Sequence, residues 1–520
     1  MLKPKASRAR PAGAVMHGPR AAIVAAMLAA ATGGCTTVGP NFKAPTPPTT
    51  RRYVPPAEAT APAAEDAGST APRQTVVLGE KVTGEWWMLF RSPDLDGLVK
   101  QAIAGSPTLE SAKARLTEAR DEVAAVRGGL SPQIGFDANV EEEKESAAAF
   151  GLKPNVAPLP ANFSLLQLGP SVSYDLDLFG GGRRRVERES ALADYQGDQL
   201  DAAYMILTAD TVTQAIQVAA VRAQQKAVDD ILDLDRQNLE LVSKEREAGT
   251  VPDSDVVSAQ SQLAADETLK PGLDQQLSVA KHALAVLTGR APGDWSPPDF
   301  DMAALTLPGE LPVSLPSELV HQRPDILAAE AQLHAASAQI GIATAQLYPD
   351  ITLSAGISAS SLNWATLFSP SGLVWSVAGG LVQPVFDGGM RQAERRAALA
   401  EFKASAADYQ QTVLLSFGQV ADVLQALTHD ADLLAAQQRA LDLASESARL
   451  QRINYSDGGV GLINLLDAQR QYQQARLGYV RAQAQRYQDT IQLLVAMGGG
   501  WWDANLTVAD ETGAAPAKRR

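Results

Sequence analysis

Tyr174-Asp175-Leu176-Asp177-Leu178-Phe179-Gly180-Gly181-Gly182-Arg183-Arg184-Arg185 runs from an alternating segment, through a glycine corner, into nearly seventy residues without a proline. The same order of features returns at Leu381 to Arg391, with Phe386-Asp387-Gly388-Gly389 at the corner. Upstream of each corner the pattern has period two. Ile134, Phe136, Ala138 and Val140 alternate with Gln133, Asp137, Asn139 and Glu141, and Leu166, Leu168, Val172, Tyr174, Leu176 and Leu178 alternate with Gln167, Ser171, Ser173, Asp175 and Asp177. Ile351, Leu353, Ala355, Ile357 and Ala359 alternate with Thr352, Ser354, Gly356, Ser358 and Ser360, and a fourth, less regular strand runs over about Leu373 to Val385. Clean alternation makes strands with one apolar and one polar face. That face covers either a soluble core or lipid; the length of these strands, with Gly and Ser on the polar side, favours lipid outside and water inside. Downstream of the first corner the period becomes seven. Leu200, Tyr204, Leu207, Val218, Val221, Val228, Leu232, Leu239 and Val242 fall on one seam, interrupted by Thr211, Gln214, Gln225 and Asp235. This pattern predicts a long left-handed coiled-coil helix, about 100 Å from end to end.

The repetition extends over most of the chain. Ser106-Pro107 and Pro132 correspond to Arg323-Pro324 and Pro349; Gly249, Val251, Ala259 and Gln260 correspond to Gly458, Val460, Ala468 and Gln469; Leu284, Val286 and Gly289 correspond to Leu493, Val495 and Gly498. Two structural repeats in tandem follow, each reading helix, strand, strand, long helix, turn, helix. The helices flanking the long one, of about 24 and 36 residues in the first repeat, sum to roughly its length at 1.5 Å per residue. They are expected to stack end to end beside it, giving a rod of four helical strands capped by four β-strands.

The start of the chain is of another kind. Lys3, Lys5, Arg8, Arg10 and Arg20 precede an apolar run, Ala21 to Ala31, and then Thr32-Gly33-Gly34-Cys35. The run is too short for a spanning helix but suits a signal peptide. Small residues before the single Cys of the chain resemble the bacterial lipobox, which makes Cys35 the expected lipidation site. The expected organisation is a signal peptide at 1–34, a lipidated and Pro-rich linker at 35–83, a first repeat at 84–290, a linker at 291–316, a second repeat at 317–502 and a polar tail at 503–520.

Composition narrows the function. One Cys and five scattered His supply no metal-ligand spacing, and no cofactor is expected; a net charge of −14 argues against a nucleic-acid partner. No G-x-S-x-G, GK[ST], HExxH or C-x-x-C motif is present, so the chain reads as no enzyme. The glycines before Arg183-Arg184-Arg185 read as a turn that tolerates no side chain, with the arginines below a membrane barrel free to meet lipid headgroups. Four strands cannot close a barrel, and an open sheet edge is not tolerated in lipid. Oligomerisation is therefore required: two copies give eight strands and three give twelve.

Several further motifs carry a resemblance. They are Val38-Gly39-Pro40-Asn41-Phe42, Trp86-Trp87-Met88-Leu89-Phe90, His282-Ala283-Leu284-Ala285-Val286-Leu287-Thr288-Gly289, Leu315-Pro316-Ser317-Glu318-Leu319 with Gln322-Arg323-Pro324-Asp325-Ile326, and Leu465-Leu466-Asp467-Ala468-Gln469-Arg470. Together they resemble the TolC-like outer membrane efflux family, in its lipoprotein (NodT-type) branch. The resemblance implies an α+β membrane protein: a homotrimer with a twelve-stranded β-barrel, four strands per chain, continued by a long periplasmic α-helical barrel. It implies a location in the outer membrane, lipid-anchored and extending into the periplasm. It also implies a periplasmic adaptor (a membrane fusion protein) and an inner-membrane RND-type pump as partners, and a passive conduit for drugs or other small toxic molecules. Two alternatives stand beside it: a non-conducting coiled-coil scaffold lipoprotein, and the exit duct of a type I protein-secretion system.

A conduit works through the residues that close it. The hairpin tips, where Gly249 and Gly458 permit the turn, are the expected closing end and adaptor-docking surface. In similar proteins the residues matching Asp467 and Arg470 lie near the mouth, the Asp in a network that holds it closed, and one matching Ile463 adds an apolar constriction. On spacing alone, an ordinary surface ion pair is the simpler reading. The first repeat carries Ser258 and Ser261 at those two positions, so any gate is asymmetric. The strand-to-helix corners are assigned to Gly181, Gly182, Gly388 and Gly389, with Phe179 and Phe386 as interfacial anchors.

Overall fold

The computed structural model describes residues 37–50, 52–55, 74–144 and 163–501. The signal segment, Cys35, residues 51 and 56–73 of the Pro-rich linker and the polar tail lie outside the described residues. The chain divides into two compact units.

The first unit draws on Ala124–Glu189, Ala336–Phe402 and the N-terminal residues through Phe42. Its centre is an antiparallel sheet of β2 (Gln133–Glu143), β3 (Phe163–Asp175), β5 (Asp350–Ser361) and β6 (Leu373–Val382), in the order β2-β3-β5-β6. Two further strands, β1 (Thr75–Leu78) and β4 (Glu310–Val313), belong to the other unit. Register turns the alternation of each strand into continuous rows. Ile134 faces Val172, Val172 faces Ala355, and Ala355 faces Val377; Ala138, Leu168, Ala359 and Leu373 form a second apolar row. Gly135, Ser171, Gly356 and Ser376 form a polar row between them. A one-residue slip in any strand would mix the two faces. Ile134 (77% exposed), Val377 (75%) and Trp375 (73%) lie bare on the apolar face within one chain. The outer edges of β2 and β6 pair with no other strand among the described residues. The last strand ends at Val382, not at Val385 as its sequence suggests, because Pro384 has no N–H to extend the ladder.

Both corners turn through left-handed glycine, but differently. In the first copy Gly180 carries it (φ +80°), and Gly181 opens helix α3 (Gly181–Glu247). Gly181 and Gly182 are needed instead for close packing: a Cβ on Gly182 would lie 2.3 Å from Leu130 Cδ2. In the second copy Gly388 and Gly389 are both left-handed (φ +65° and +88°), and helix α8 (Met390–Ser456) follows directly. The N-terminal caps also come from unequal positions. Asp177 accepts from the amides of Gly182 and Arg183 (3.0 and 2.9 Å), whereas Asp387 accepts from those of Gly389 and Arg391 (2.8 and 3.2 Å). Each carboxylate meets unpaired helix amides and the positive end of the helix dipole. Phe179 stacks on Tyr348 with ring centroids 4.6 Å apart, while Phe386 is 91% exposed.

The second unit holds the helical remainder. In chain order its elements are strand β1, α1 (Pro93–Gly105), most of α2 (Pro107–Gly129), α3 beyond Glu189, α4 (Asp253–Glu267), α5 (Leu269–Leu287), β4, the short α6 (Pro316–Leu319), the first half of α7 (Pro324–Ala345), most of α8 and α9 (Leu462–Ala496). The two long helices have 67 residues each. On α3, Leu200, Tyr204, Leu207, Val218, Val221, Val228, Leu232 and Val242 are buried, as the heptad requires, and so are the polar interruptions Thr211 and Asp235. The main core joins the first part of this seam, Leu200 to Val218, to Trp86, Trp87 and Phe90, and to Leu284, Leu493, Leu494 and Met497 at the ends of α5 and α9. Arg323 is buried under this core, donating to the Ala496 carbonyl, to both Asp325 oxygens and to Gln419. That accounts for the Gln322-Arg323-Pro324-Asp325 motif as a helix-end clamp.

Three features depart from the expected order. Helix α1 is an extra element before α2, capped by the Ser92 side chain and opened by Pro93. A two-stranded parallel ribbon pairs β1 with β4. The single helix of about 36 residues expected after the first turn is two helices, broken at Thr268. Pro271 explains the break: it has no N–H for the Glu267 carbonyl, and its ring crowds that oxygen. The second repeat has no proline there, and α9 runs unbroken for 35 residues.

Candidate functional site: the hairpin tips

Both tips belong to the second unit and close in the same way. At the α3–α4 tip, the Gly249 amide donates to Arg246 O (2.9 Å) and the Thr250 amide to Glu245 O (3.0 Å). At the α8–α9 tip, the Gly458 amide donates to Tyr455 O (3.0 Å) and the Gly459 amide to Asn454 O (2.8 Å). These are paired Schellman caps, each with a left-handed glycine (φ +75° and +74°). Gly458→Ala is expected to lower stability by about 1 kcal/mol, since a Cβ disfavours that φ by roughly this amount; urea unfolding of the two proteins checks it.

The tips pack through a small core of their own. Val242, Tyr455, Leu462, Leu465 and Leu466 are buried together. Tyr455 donates its hydroxyl to Glu245 (2.6 Å), joining the two hairpins, and Arg246 pairs with Asp253 across the first turn (2.6 Å). Burial, together with this carboxylate, pushes the Tyr455 hydroxyl far above the ordinary phenol range. The tyrosine therefore remains a neutral donor at any physiological pH.

Helix α9 presents two stripes. Leu462, Leu465, Leu466, Gln469 and Gln473 face inward; Gln469 accepts from Asn238 of α3 (2.7 Å). Ile463, Asp467 and Arg470 recur at intervals of four and three, so they lie along one exposed line. Ile463 is 77% exposed. Arg470 donates to Asp467 at 3.3 Å, with both side chains about half exposed, and Gln471 also donates to Asp467 (3.0 Å). At the matching positions of α4, Ser258 turns its hydroxyl back onto Ser254 O of its own helix (2.8 Å). One hairpin thus carries charge on its free stripe, and the other carries small hydroxyls.

Higher in the seam lies a polar group that sequence reasoning marked only as an interruption. Asp235 is buried against Asp266, which itself accepts from Gln262 (2.8 Å) and Gln473 (2.5 Å). Burial first, and then the neighbouring Asp266 carboxylate, raises Asp235 to about 7. A second such pair links Asp430 to Asp489, and Asp430 is likewise raised to about 7 by burial and its neighbour. Period-seven reading flags Asp235 as a polar seam residue. It cannot show that Asp266, on another helix, meets it.

Among the described residues no group of His, Cys, Asp or Glu could hold a metal ion, and no helix is long and apolar enough to cross a membrane. The family model described as "Outer membrane efflux protein" matches residues 98–290 and 315–499. The "Pyoverdine export outer membrane protein OpmQ" of Pseudomonas aeruginosa is 29% identical over 447 residues, covering 85% of this chain and 93% of that one. "Nodulation protein T" of Rhizobium leguminosarum bv. viciae is 28% identical over 432 residues, covering 81% and 86%. The solved structure titled "Structural insights of the outer-membrane channel OprN" superposes with a TM-score of 0.80 at 28% identity, covering 90% of this chain and all of that one.

Proposed function

The chain belongs to the outer membrane efflux protein family, and on that premise we propose that it is the passive outer-membrane exit of a tripartite pump for drugs or other small toxic molecules. Its fold is that of the trimeric channels: four strands from each of three chains make a twelve-stranded barrel, and the long helices make the periplasmic α-barrel. Its place is the outer membrane, and its work is efflux. The observation that carries the conduit reading is the sheet register. It aligns apolar rows on one bare face and polar rows on the other, and both edges pair with no other strand among the described residues. A scaffold has no need of a lipid-facing face, and lipid does not tolerate an open edge.

The finer assignments belong to the same reading. Cys35 carries the lipid anchor. The domain limits run 84–290 and 317–502, with linkers at 35–83 and 291–316. Asp467, Arg470 and Ile463 line the closed periplasmic mouth, supported by their shared exposed stripe on α9. A periplasmic adaptor docks at the Gly249 and Gly458 tips, and an RND-type inner-membrane pump supplies the energy, since the sequence carries no nucleotide-binding loop. The relative named for pyoverdine export supports a small organic molecule as cargo. Purified protein in planar bilayers is expected to give discrete conductance steps, and to migrate as a heat-modifiable trimer. A trimer that conducts no ions under any applied voltage would reject the conduit.

A further inference from the structure

The sequence suggests that the arginines after the first corner face headgroups. Arg184 does not: it is 3% exposed. Its guanidinium holds the first described residues of the chain. Nε donates to Val38 O (3.1 Å), and Nη2 donates to Gly39 O (3.3 Å) and Asn41 Oδ1 (2.8 Å). Nη1 donates to Glu187 (2.6 Å), which balances the charge. The Val38 amide in turn donates to Phe179 O (3.0 Å) at the corner itself.

Three glycines make room for this arm. A Cβ on Gly39 would lie 2.5 Å from the Gly341 backbone of α7, and one on Gly341 would lie 2.8 Å from the Arg184 side chain. A Cβ on Gly180 would lie 2.6 Å from Thr37. Among the described residues, the second repeat has no counterpart. Arg391, which corresponds to Arg184, bonds Gln346 O instead, and open space surrounds Gly388 and Gly389. On α2, the residue that corresponds to Gly341 is Ala124, which carries the Cβ that the socket leaves out. Among the described residues this socket occurs once, at the corner nearest in sequence to the chain start.

We propose that Arg184, with Gly39, Gly180 and Gly341, forms a docking socket that sets the tether length between the N-terminal lipid anchor and the first strand-to-helix corner. The inference rests on the reading of Cys35 as the lipidated residue. Thr37 follows Cys35 by two residues, a leash of at most about 7 Å. Farther along the arm, Tyr53 donates to Ser314 O (2.8 Å) and packs edge-on against Phe417. An extended chain from Cys35 to Tyr53 reaches about 60 Å. The socket therefore holds the acyl chains to the level of the corner, so that anchor and barrel enter the bilayer together. Arg184 is a positioning residue: it acts on the anchor through the arm.

The test uses full-length protein in cells, with heat-resistant trimer and labelled palmitate as readouts. Ten Gly/Ser residues inserted between Thr36 and Thr37 lengthen the leash but leave the socket intact. The same insert between Pro47 and Pro48 lies beyond the socket. The first insert is expected to lower trimer yield at least threefold with palmitate labelling unchanged, and the second to leave both at wild-type level. Arg184→Gln should match the first insert, and combining the two should add little. Full trimer yield from the Thr36–Thr37 insert would overturn the tether role, because a purely structural socket is indifferent to leash length. Palmitate labelling that survives Cys35→Ser would instead reject the lipidation reading, whatever the inserts do.

Discussion

Asp467→Ala combined with Arg470→Ser is expected to raise single-channel conductance several-fold while changing folding stability by less than about 1 kcal/mol. The two halves of this expectation have different causes. Within one chain the pair is a half-exposed contact at 3.3 Å on consecutive turns of α9. Such pairs contribute about 0.2–1 kcal/mol, because water screens the charges and ordering two long side chains costs entropy. Nothing in the buried stripe of α9 depends on it: Leu462, Leu465 and Leu466 pack on the opposite side. On the proposed gate reading, three copies of the stripe around a threefold axis would set three carboxylates and three guanidinia at one level, and rings of that kind set the effective width of a mouth. Removing them is expected to open the proposed mouth without loosening the hairpins. Salt supplies an independent check. The Debye length falls to about 3 Å at 1 M salt, so the wild-type channel should gain more conductance between 0.1 and 1 M KCl than bulk conductivity accounts for, and the double variant should not. Ile463→Ala, which removes apolar bulk and no charge, should widen the mouth without altering the salt dependence. Equal conductance of wild type and double variant would remove these residues from the gate.

The parts of this fold that repeat at short intervals were legible in the sequence. Period two placed the four strands with their apolar rows, and period seven placed the buried seam of α3 from Leu200 to Val242. The twin caps at Gly249 and Gly458 could be read because a left-handed cap favours glycine wherever it occurs. What could not be read was the meeting of distant segments. Nothing near Arg184 says that it reaches back to Val38, and nothing near Asp235 announces Asp266. The corner glycines show the same limit at closer range. Sequence correspondence aligns Gly181 with Gly388, but the turn is made one residue earlier in the first copy, where Thr37 and Leu130 close in on the corner. Pro271 was visible throughout. Its effect on α4 and α5 is local, and the expectation of an unbroken helix there gave the repeat symmetry too much weight.

Asp235→Asn is expected to stabilise the helical unit above pH 7, by about 2 kcal/mol per protomer after allowing for partial screening, and to leave it nearly unchanged near pH 4. In the folded chain Asp235 stays protonated up to about 7, because burial and the adjacent Asp266 carboxylate disfavour a second negative charge. In the unfolded chain it ionises near its ordinary value of about 4. Between these limits the folded state binds more protons than the unfolded one, so stability falls as pH rises from about 4 to about 7 and then levels off. Asparagine keeps the shape and the hydrogen-bonding capacity toward Asp266 but carries no charge. The variant should therefore lose most of this pH dependence. The unfolding midpoint of the trimer, followed by circular dichroism at pH 5 and pH 8, provides the measurement; a wild-type midpoint that rises over this range while Asp235→Asn stays level would reverse the sign and reject the shared-proton pair. Asp430→Asn should act in the same direction, since burial and the neighbouring Asp489 raise Asp430 to about 7 as well. The two pairs share no hydrogen-bonding partner, so their effects should add. Both pairs lie in the helical unit, where burial beside a second carboxylate disfavours the ionised form. Acidification around the channel should accordingly tighten the helical wall, and alkaline conditions should loosen it at the same two places.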